Sequence, residues 1–325
     1  MTKIAVVKGQ DRKENIKKAL GLIEEDIGKA IEEKKAKQIF IKINALDTNF
    51  PLACTHTEAI EAVLDVLGNK FDEIVIGDNS FAFSKNKGEF YRELRKHPKV
   101  KFSDLSEFEH EDIEFKNIGG NKIAKVAYPR DAFIVSLALP KTHDVFVYTG
   151  VSKNMFGCVV KGRGFLHVSS LAKRMLRNRD AESNCLKWEN LIRVIKQITP
   201  DLCILDAYEG MEGEGPLFGS SIKLETAMSS LNGIALDKFA SRIYGMENVP
   251  YLQVFSNAHT ELLKEGFGKI EEISKKFKLH YNNKYQLATG RLSFMPAVDV
   301  RFAFSVLKRS YRLRDKIIAK LKRGE

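Results

Sequence analysis

Two hydrophobic rhythms alternate along this chain. Short, nearly unbroken apolar runs recur at 3–7 (KIAVV), 39–43 (IFIKI), 73–77 (EIVIG), 133–139 (FIVSLAL) and 202–205 (LCIL). Runs of this length read as strands, and one that is apolar throughout reads as a central strand covered on both faces. Between them the apolar period lengthens to three and four. Ile16, Leu20, Ile23, Ile27 and Ile31 predict an amphipathic helix over 13–33. Ala59, Ile60, Val63, Leu64 and Leu67 predict a second over 55–68, opened by Thr55 and Glu58 as a capping box and closed at Gly68.

The same reading predicts a helix over 87–97, short strands near 100–102 and 113–118, a helix over 170–198, a strand over 221–230 and a helix over 234–244. A strand over 285–295 and a basic amphipathic helix over 296–325 complete it, the latter with Val300, Phe304, Leu307 and Tyr311 on one face. Strands alternating with helices imply an α/β fold: a largely parallel central sheet with helices on both faces. The expected organisation is one α/β domain over 1–295, with a polar excursion at 81–125, followed by the 296–325 helix.

Polar residues stand just past four of the apolar runs: Asn44, then Asp78, then Lys141, Thr142 and His143, then Asp206 and Glu209. In an open parallel sheet the strand C-terminal ends share one edge, and ligands bind in the crevice there. Residues distant in sequence are therefore expected to meet for a topological reason.

Composition narrows the partners. At 325 residues with 44% hydrophobic and 29% charged side chains, the chain can fill a sizeable core. No stretch reaches the roughly 18 consecutive apolar residues of a membrane span, and the N-terminal apolar run is too short for a signal peptide. The expectation is a cytoplasmic protein without a transmembrane segment. Cys54, Cys158, Cys185 and Cys203 form no C-x-x-C pair, so no zinc ribbon and no ferredoxin-type cluster loop is encoded. A net charge of +11 favours anionic partners.

The candidate chemistry is densest over 139–167. In Thr149-Gly150-Val151-Ser152-Lys153-Asn154, hydroxyls, amide N–H groups and an ammonium are grouped as an anion site requires. A partly buried Lys153 could instead act as base or nucleophile. His143 and His167 flank this run and titrate near neutrality, though a histidine often serves as a hydrogen-bonded structural residue. Cys158 is a candidate thiolate or a buried structural cysteine. Glu209, Glu212 and Glu214 lie in a glycine-rich loop. Its GEGPLFG (213–219) is no dinucleotide fingerprint, because Pro216 intervenes and a strand follows. No P-loop motif occurs.

Five stretches together resemble the domain of unknown function 362 family. They are IKIN with THTEAIEAV (41–63), IVIGDN (74–79), LPKTH with TGVSKNMFGCV and His167 (139–167), DAYEGMEGEGPLFG (206–219) and LDKFASRIYGMENVPYL (236–252). The resemblance covers roughly 38–255. Ile43 and Thr57 stand where the family has prolines, and 226–237 is atypical. The resemblance places Asp237 at the family's matching aspartate. Some relatives carry appended ferredoxin-like cassettes. This chain carries none, and that role is not transferred.

The expected function is an enzyme binding a small anionic ligand, a carboxylate or phosphate. Lys153, His143 and His167 are the catalytic candidates. Asn44, Asp78, Lys141, Thr142, Thr149, Ser152, Asn154, Glu212 and Asp237 are the ligand-binding candidates. A divalent metal is a candidate cofactor, with His143, His167, Cys158 and Glu212 as its candidate ligands. Two alternatives stay open: a metal- or redox-linked protein beside an electron-transfer partner, and a nucleic-acid binder using the basic tail. The second lacks a helix-turn-helix or aromatic RNA-reading motif.

Overall fold

A computed structural model of the chain describes residues 1–79, 91–105, 109–117, 120–127, 132–159 and 181–280. The described strands are β1 (Thr2–Lys8), β2 (Gln38–Lys42), β3 (Glu73–Asp78), β4 (Val100–Asp104), β5 (His110–Asn117), β6 (Gly120–Ala127), β7 (Ala132–Ala138), β8 (Lys141–His143), β9 (Val147–Thr149), β10 (Leu202–Glu212), β11 (Ser220–Ser230) and β12 (Thr260–Glu265). The helices are α1 (Arg12–Gly21), α2 (Glu24–Lys34), α3 (Thr57–Leu67), α4 (Val151–Asn154), α5 (Ala181–Gln197), α6 (Gly233–Ile243) and α7 (Pro250–Gln253).

The main sheet runs β12-β1-β11-β10-β7-β2-β3-β4, with the small β8–β9 hairpin joined to it through β10. The five strands β10, β7, β2, β3 and β4 are mutually parallel. Strand β11 runs antiparallel to both of its neighbours, β10 and β1. Strands β5 and β6 form a separate antiparallel pair. The parallel run confirms the expected fold class, and it puts the ends of β2, β3, β7 and β10 on one edge.

Strand β7 shows why its sequence is nearly all apolar. Successive side chains point to opposite faces. Ala132, Ile134 and Ala138 enter the core on one side, and Phe133, Val135 and Leu137 enter the core on the other. Helices α4, α5 and α6 cover the first side, through Val151, Leu191, Val194, Leu236 and Ala240. Helices α1 and α3 cover the second, through Ile16, Leu20, Ile60, Val63 and Leu67. Each large aliphatic side chain buried this way contributes about 1.5–3 kcal/mol of transfer free energy.

Several expectations need correction. The predicted helix over 13–33 is two helices, broken at Leu22 and Ile23. Gly21 weakens the junction, because glycine costs about 1 kcal/mol in a helix interior. Helix α3 starts at Thr57 with His56, not Thr55, as its N-cap; His56 Nδ1 accepts the Glu58 N–H at 3.3 Å. The Thr55 hydroxyl is used elsewhere. It accepts from Asn44 N at 2.8 Å and donates to Leu137 O at 3.3 Å, tying the 44–55 loop to β7. Of the helix expected over 87–97, the described residues form turns and one 3-10 turn at Leu94–Lys96. Pro98 pushes His97 into extended backbone and stops any longer helix.

Strand β10 does not end before Asp206. It continues to Glu212, paired with β11 across a bulge between Ala207 and Glu209. Asp206 is tolerated mid-strand because Arg12 Nε lies 3.3 Å from its carboxylate. Burial still raises its pKa to about 6. The glycine-rich acidic segment is thus a hairpin turn between two long strands. Among the described residues no helix is long and apolar enough to cross a membrane. The strand expected over 285–295, the tail helix and the first part of the 170–198 helix lie outside the described residues.

Candidate functional site

Lys42 ends β2 on the same face as Phe40, toward α4. A lysine there cannot reach water, so its charge must be met inside the protein. Its Nζ donates to Asp78 Oδ1 at 2.7 Å, to Ile43 O at 2.6 Å and to Asn154 Oδ1 at 3.3 Å. The other Asp78 oxygen accepts the Ala45 N–H at 2.7 Å. Asn154 Nδ2 donates to Lys42 O at 2.8 Å and to Ser136 Oγ at 3.1 Å, and Ser136 Oγ donates to Val151 O at 2.7 Å. A buried network joins the ends of β2 and β3 to the 151–158 turn. Gly157 makes room for it: a Cβ there would sit 2.5 Å from Lys42 Nζ and 2.7 Å from Asp78 Oδ1.

Lys141 opens β8 and is only 1% exposed. Its Nζ donates to Asn44 Oδ1 at 2.7 Å and to Ala53 O at 3.1 Å, both neutral acceptors. Burial pulls its pKa down to about 8. Register pairs Lys141 with Thr149 across the β8–β9 hairpin. The Thr149 hydroxyl is buried without a hydrogen-bond partner.

His143 lies two positions beyond Lys141. Its Nδ1 is 2.7 Å from Asp144 Oδ1, and the N–H groups of Val145 and Phe146 point at the same nitrogen from 3.1 and 3.4 Å. The carboxylate needs a proton on Nδ1 and the amides need a lone pair, so these demands compete. Burial, reinforced by the Lys153 ammonium, lowers the His143 pKa to about 4 against the pull of Asp144. Lys153 is also buried, and its Nζ sits 4.8 Å from the centre of the Phe146 ring, which in turn packs edge-on against His143.

The expected anion-gripping amides already hold an anion, and it is Asp237. Its carboxylate accepts Val151 N–H at 3.0 Å and Ser152 N–H at 2.8 Å, at the first turn of α4. Burial raises the Asp237 pKa to about 6 despite those donors. Gly150 permits the approach, since any side chain there would overlap Asp237 Oδ1 and the Tyr148 ring. The Ser152 hydroxyl is buried beside the Asp237 carboxylate.

The acidic turn is fastened to the same rim. Thr142 Oγ1 donates to Gly213 O at 2.9 Å. Glu212 accepts the Lys278 N–H at 2.8 Å, Gly213 N–H donates to Lys278 O at 2.6 Å, and His280 Nε2 lies 2.8 Å from Glu214 Oε2. Residues 275–280 thus form a strap across the turn.

The structure therefore gathers Asn44, Asp78, Lys141, His143, Lys153 and Asn154 around the strand ends. It places Ser152 with Asp237 at the α4 N-terminus, and Thr142 with the acidic turn. His167 lies outside the described residues. Cys158 is buried, and so are Cys54 and Cys203. Burial raises the Cys54 thiol to about 11 and pushes Cys203 well above its ordinary value. Among the described residues no group of three or more His, Cys, Asp or Glu side chains is placed to hold a metal ion. Sequence reasoning passed over Lys42, Ser136 and His280. Lys42 carried a readable signal: a lysine inside an apolar run must find a counter-charge, and Asp78 closes the neighbouring strand.

The chain is similar to the thylakoid-associated protein sll1697 of Synechocystis sp., at 31% identity over 117 residues. That segment is 36% of this chain and 33% of the relative, so the match spans about a third of the relative's length. The family described as domain of unknown function DUF362 matches residues 39–242, from the first residues of β2 to the end of α6. With more than half of its length matched, including every strand end that builds the rim, the chain belongs to the DUF362 family.

Proposed function

We propose that this protein is an enzyme that binds a small anionic ligand, a carboxylate or phosphate, at the C-terminal ends of β2, β3, β7 and β8 and moves protons there. Lys153 and Lys141 supply positive charge, with Asn44, Thr149, Ser152 and Asn154 as polar neighbours. His143 is the described proton carrier, and His167 is the second. The Lys42–Asp78 pair is the rigid floor of the site, Asp237 holds the 150–154 turn in place, and Thr142 and Glu212 hold the acidic turn.

The observation that supports this reading is the burial of Lys141. Desolvating an ammonium is costly, and such groups are ordinarily paired with a carboxylate or lose their proton. Lys42 meets that rule through Asp78; among the described residues the hydrogen bonds of Lys141 go to neutral oxygens. An incoming anion would supply the missing counter-charge.

The test is ligand-linked thermal stability with acetate, oxalate, pyruvate and inorganic phosphate. A ligand at 100 times its Kd adds about 2.7 kcal/mol. At least one of these anions is expected to raise the Tm of the wild type and to leave that of K153A unmoved. No shift with any of them, or an equal shift in K153A, would sink the reading.

A further inference from the structure

Three groups on one face of the β8–β9 hairpin fit together chemically. Lys141 and Thr149 are cross-strand partners, so their side chains project from the same face. His143, two positions along β8, shares that face with Lys141. The Lys141 ammonium lowers the proton affinity of His143, as does that of Lys153. The amine is held by Asn44 Oδ1 and Ala53 O, which fix its position without neutralising it. The Thr149 hydroxyl is a buried donor with nothing to donate to. A fixed amine, an unsatisfied hydroxyl and a neutral imidazole are what carbinolamine chemistry uses.

We propose that Lys141 forms an imine with the carbonyl carbon of a small 2-oxo acid bound at this rim. The choice of an oxo acid rests on the anion-binding reading above: its carboxylate answers the lysine charge, and its carbonyl lies one carbon away. With a pKa of about 8, roughly one Lys141 in ten is neutral amine at pH 7. The lone pair of the neutral amine attacks the carbonyl carbon, and the C=O bond opens to an alkoxide that Thr149 Oγ1 contacts. One of the two nitrogen protons passes to that oxygen by way of His143, giving the neutral carbinolamine. His143 relays the second nitrogen proton to the hydroxyl, the C–O bond breaks as C=N forms, and one water leaves. Amine plus oxo acid gives imine plus water, with no oxidant or reductant required.

Borohydride trapping tests this on the full-length wild type. Protein is incubated with pyruvate or glyoxylate, reduced, digested and mapped by mass spectrometry. The expected product is one modified residue, Lys141, heavier by the oxo acid less one oxygen atom. K141R is expected to lose the label. K153A is expected to lower trapping by pyruvate at least tenfold more than it lowers trapping by propanal, a neutral aldehyde. An unlabelled Lys141, or label spread over exposed lysines, overturns the proposal on wild-type protein alone, whether or not K141R folds. Equal trapping of propanal and pyruvate overturns the oxo-acid assignment and the anion reading with it. A K153-dependent Tm shift by anions with Lys141 unlabelled overturns only the imine.

Discussion

Lys42 Nζ and Asp78 Oδ1 lie 2.7 Å apart at the ends of adjacent parallel strands, with side-chain exposures of 1% and 4%. Removing one member of such a pair strands the other charge in the interior, at a cost of about 3–5 kcal/mol. K42M and D78N are each expected to lower unfolding stability in urea by that order. The double variant K42M/D78N is expected to lose less than the sum of the single losses. Strict additivity would mean that the pair is not coupled.

Gly157 offers a backbone test of the same network. G157A places a methyl against Lys42 Nζ and Asp78 Oδ1. Overpacking of this kind costs about 1–3 kcal/mol. The predicted loss should shrink in a K42A background, where the nearest obstacle is gone. A loss that is unchanged there would place the strain elsewhere.

His143 makes a signed pH prediction. Its folded pKa of about 4 lies below the ordinary 6.5, so the fold favours the neutral ring. That contribution is complete above pH 6.5 and is lost as pH falls toward 4. Between those limits the wild type should lose about 3 kcal/mol relative to H143Q. Parallel pH dependences in denaturant titrations of the two proteins would contradict the assignment.

Asp237 predicts the opposite slope. Its folded pKa of about 6 lies above the ordinary 3.8, so the stability due to its protonated form is complete below pH 3.8 and is lost as pH rises toward 6. Relative to D237N, the wild type should fall by about 3 kcal/mol across that window. D237N should be the less stable protein at neutral pH, because an amide cannot accept from Val151 N–H and Ser152 N–H together. A D237N protein with the wild-type slope would rule this out.

The strap over the acidic turn should respond to Glu212. E212A leaves the Lys278 N–H without its acceptor. Losing one such bond is worth about 1–3 kcal/mol of local protection, so amide exchange at Lys278 should quicken at least tenfold. Exchange at the wild-type rate would show that the Gly213 N–H to Lys278 O bond suffices.

The central strands were legible because both of their faces are apolar. FIVSLAL has no polar face to mislead the reading, and its one hydroxyl is absorbed by Val151 O. Parallel pairing followed from the alternation of strands and helices. What escaped was decided by contacts between distant residues. Asp206 reads as the end of a strand until Arg12 is seen beside it. Thr55 reads as a helix cap until Asn44 N is seen donating to it. The 151–152 amides read as an anion site, and their anion comes from Asp237, which belongs to another helix. No local pattern announces these partners.

Among the described residues strand β1 pairs with β11 and β12 alone, which come near the far end of the described chain. During synthesis at roughly 5–20 residues per second, this first hydrophobic strand must wait on the order of ten seconds or more before either partner leaves the ribosome. Its open edge is the natural target of a holding chaperone, and a truncation before β11 should leave a nascent chain prone to clump.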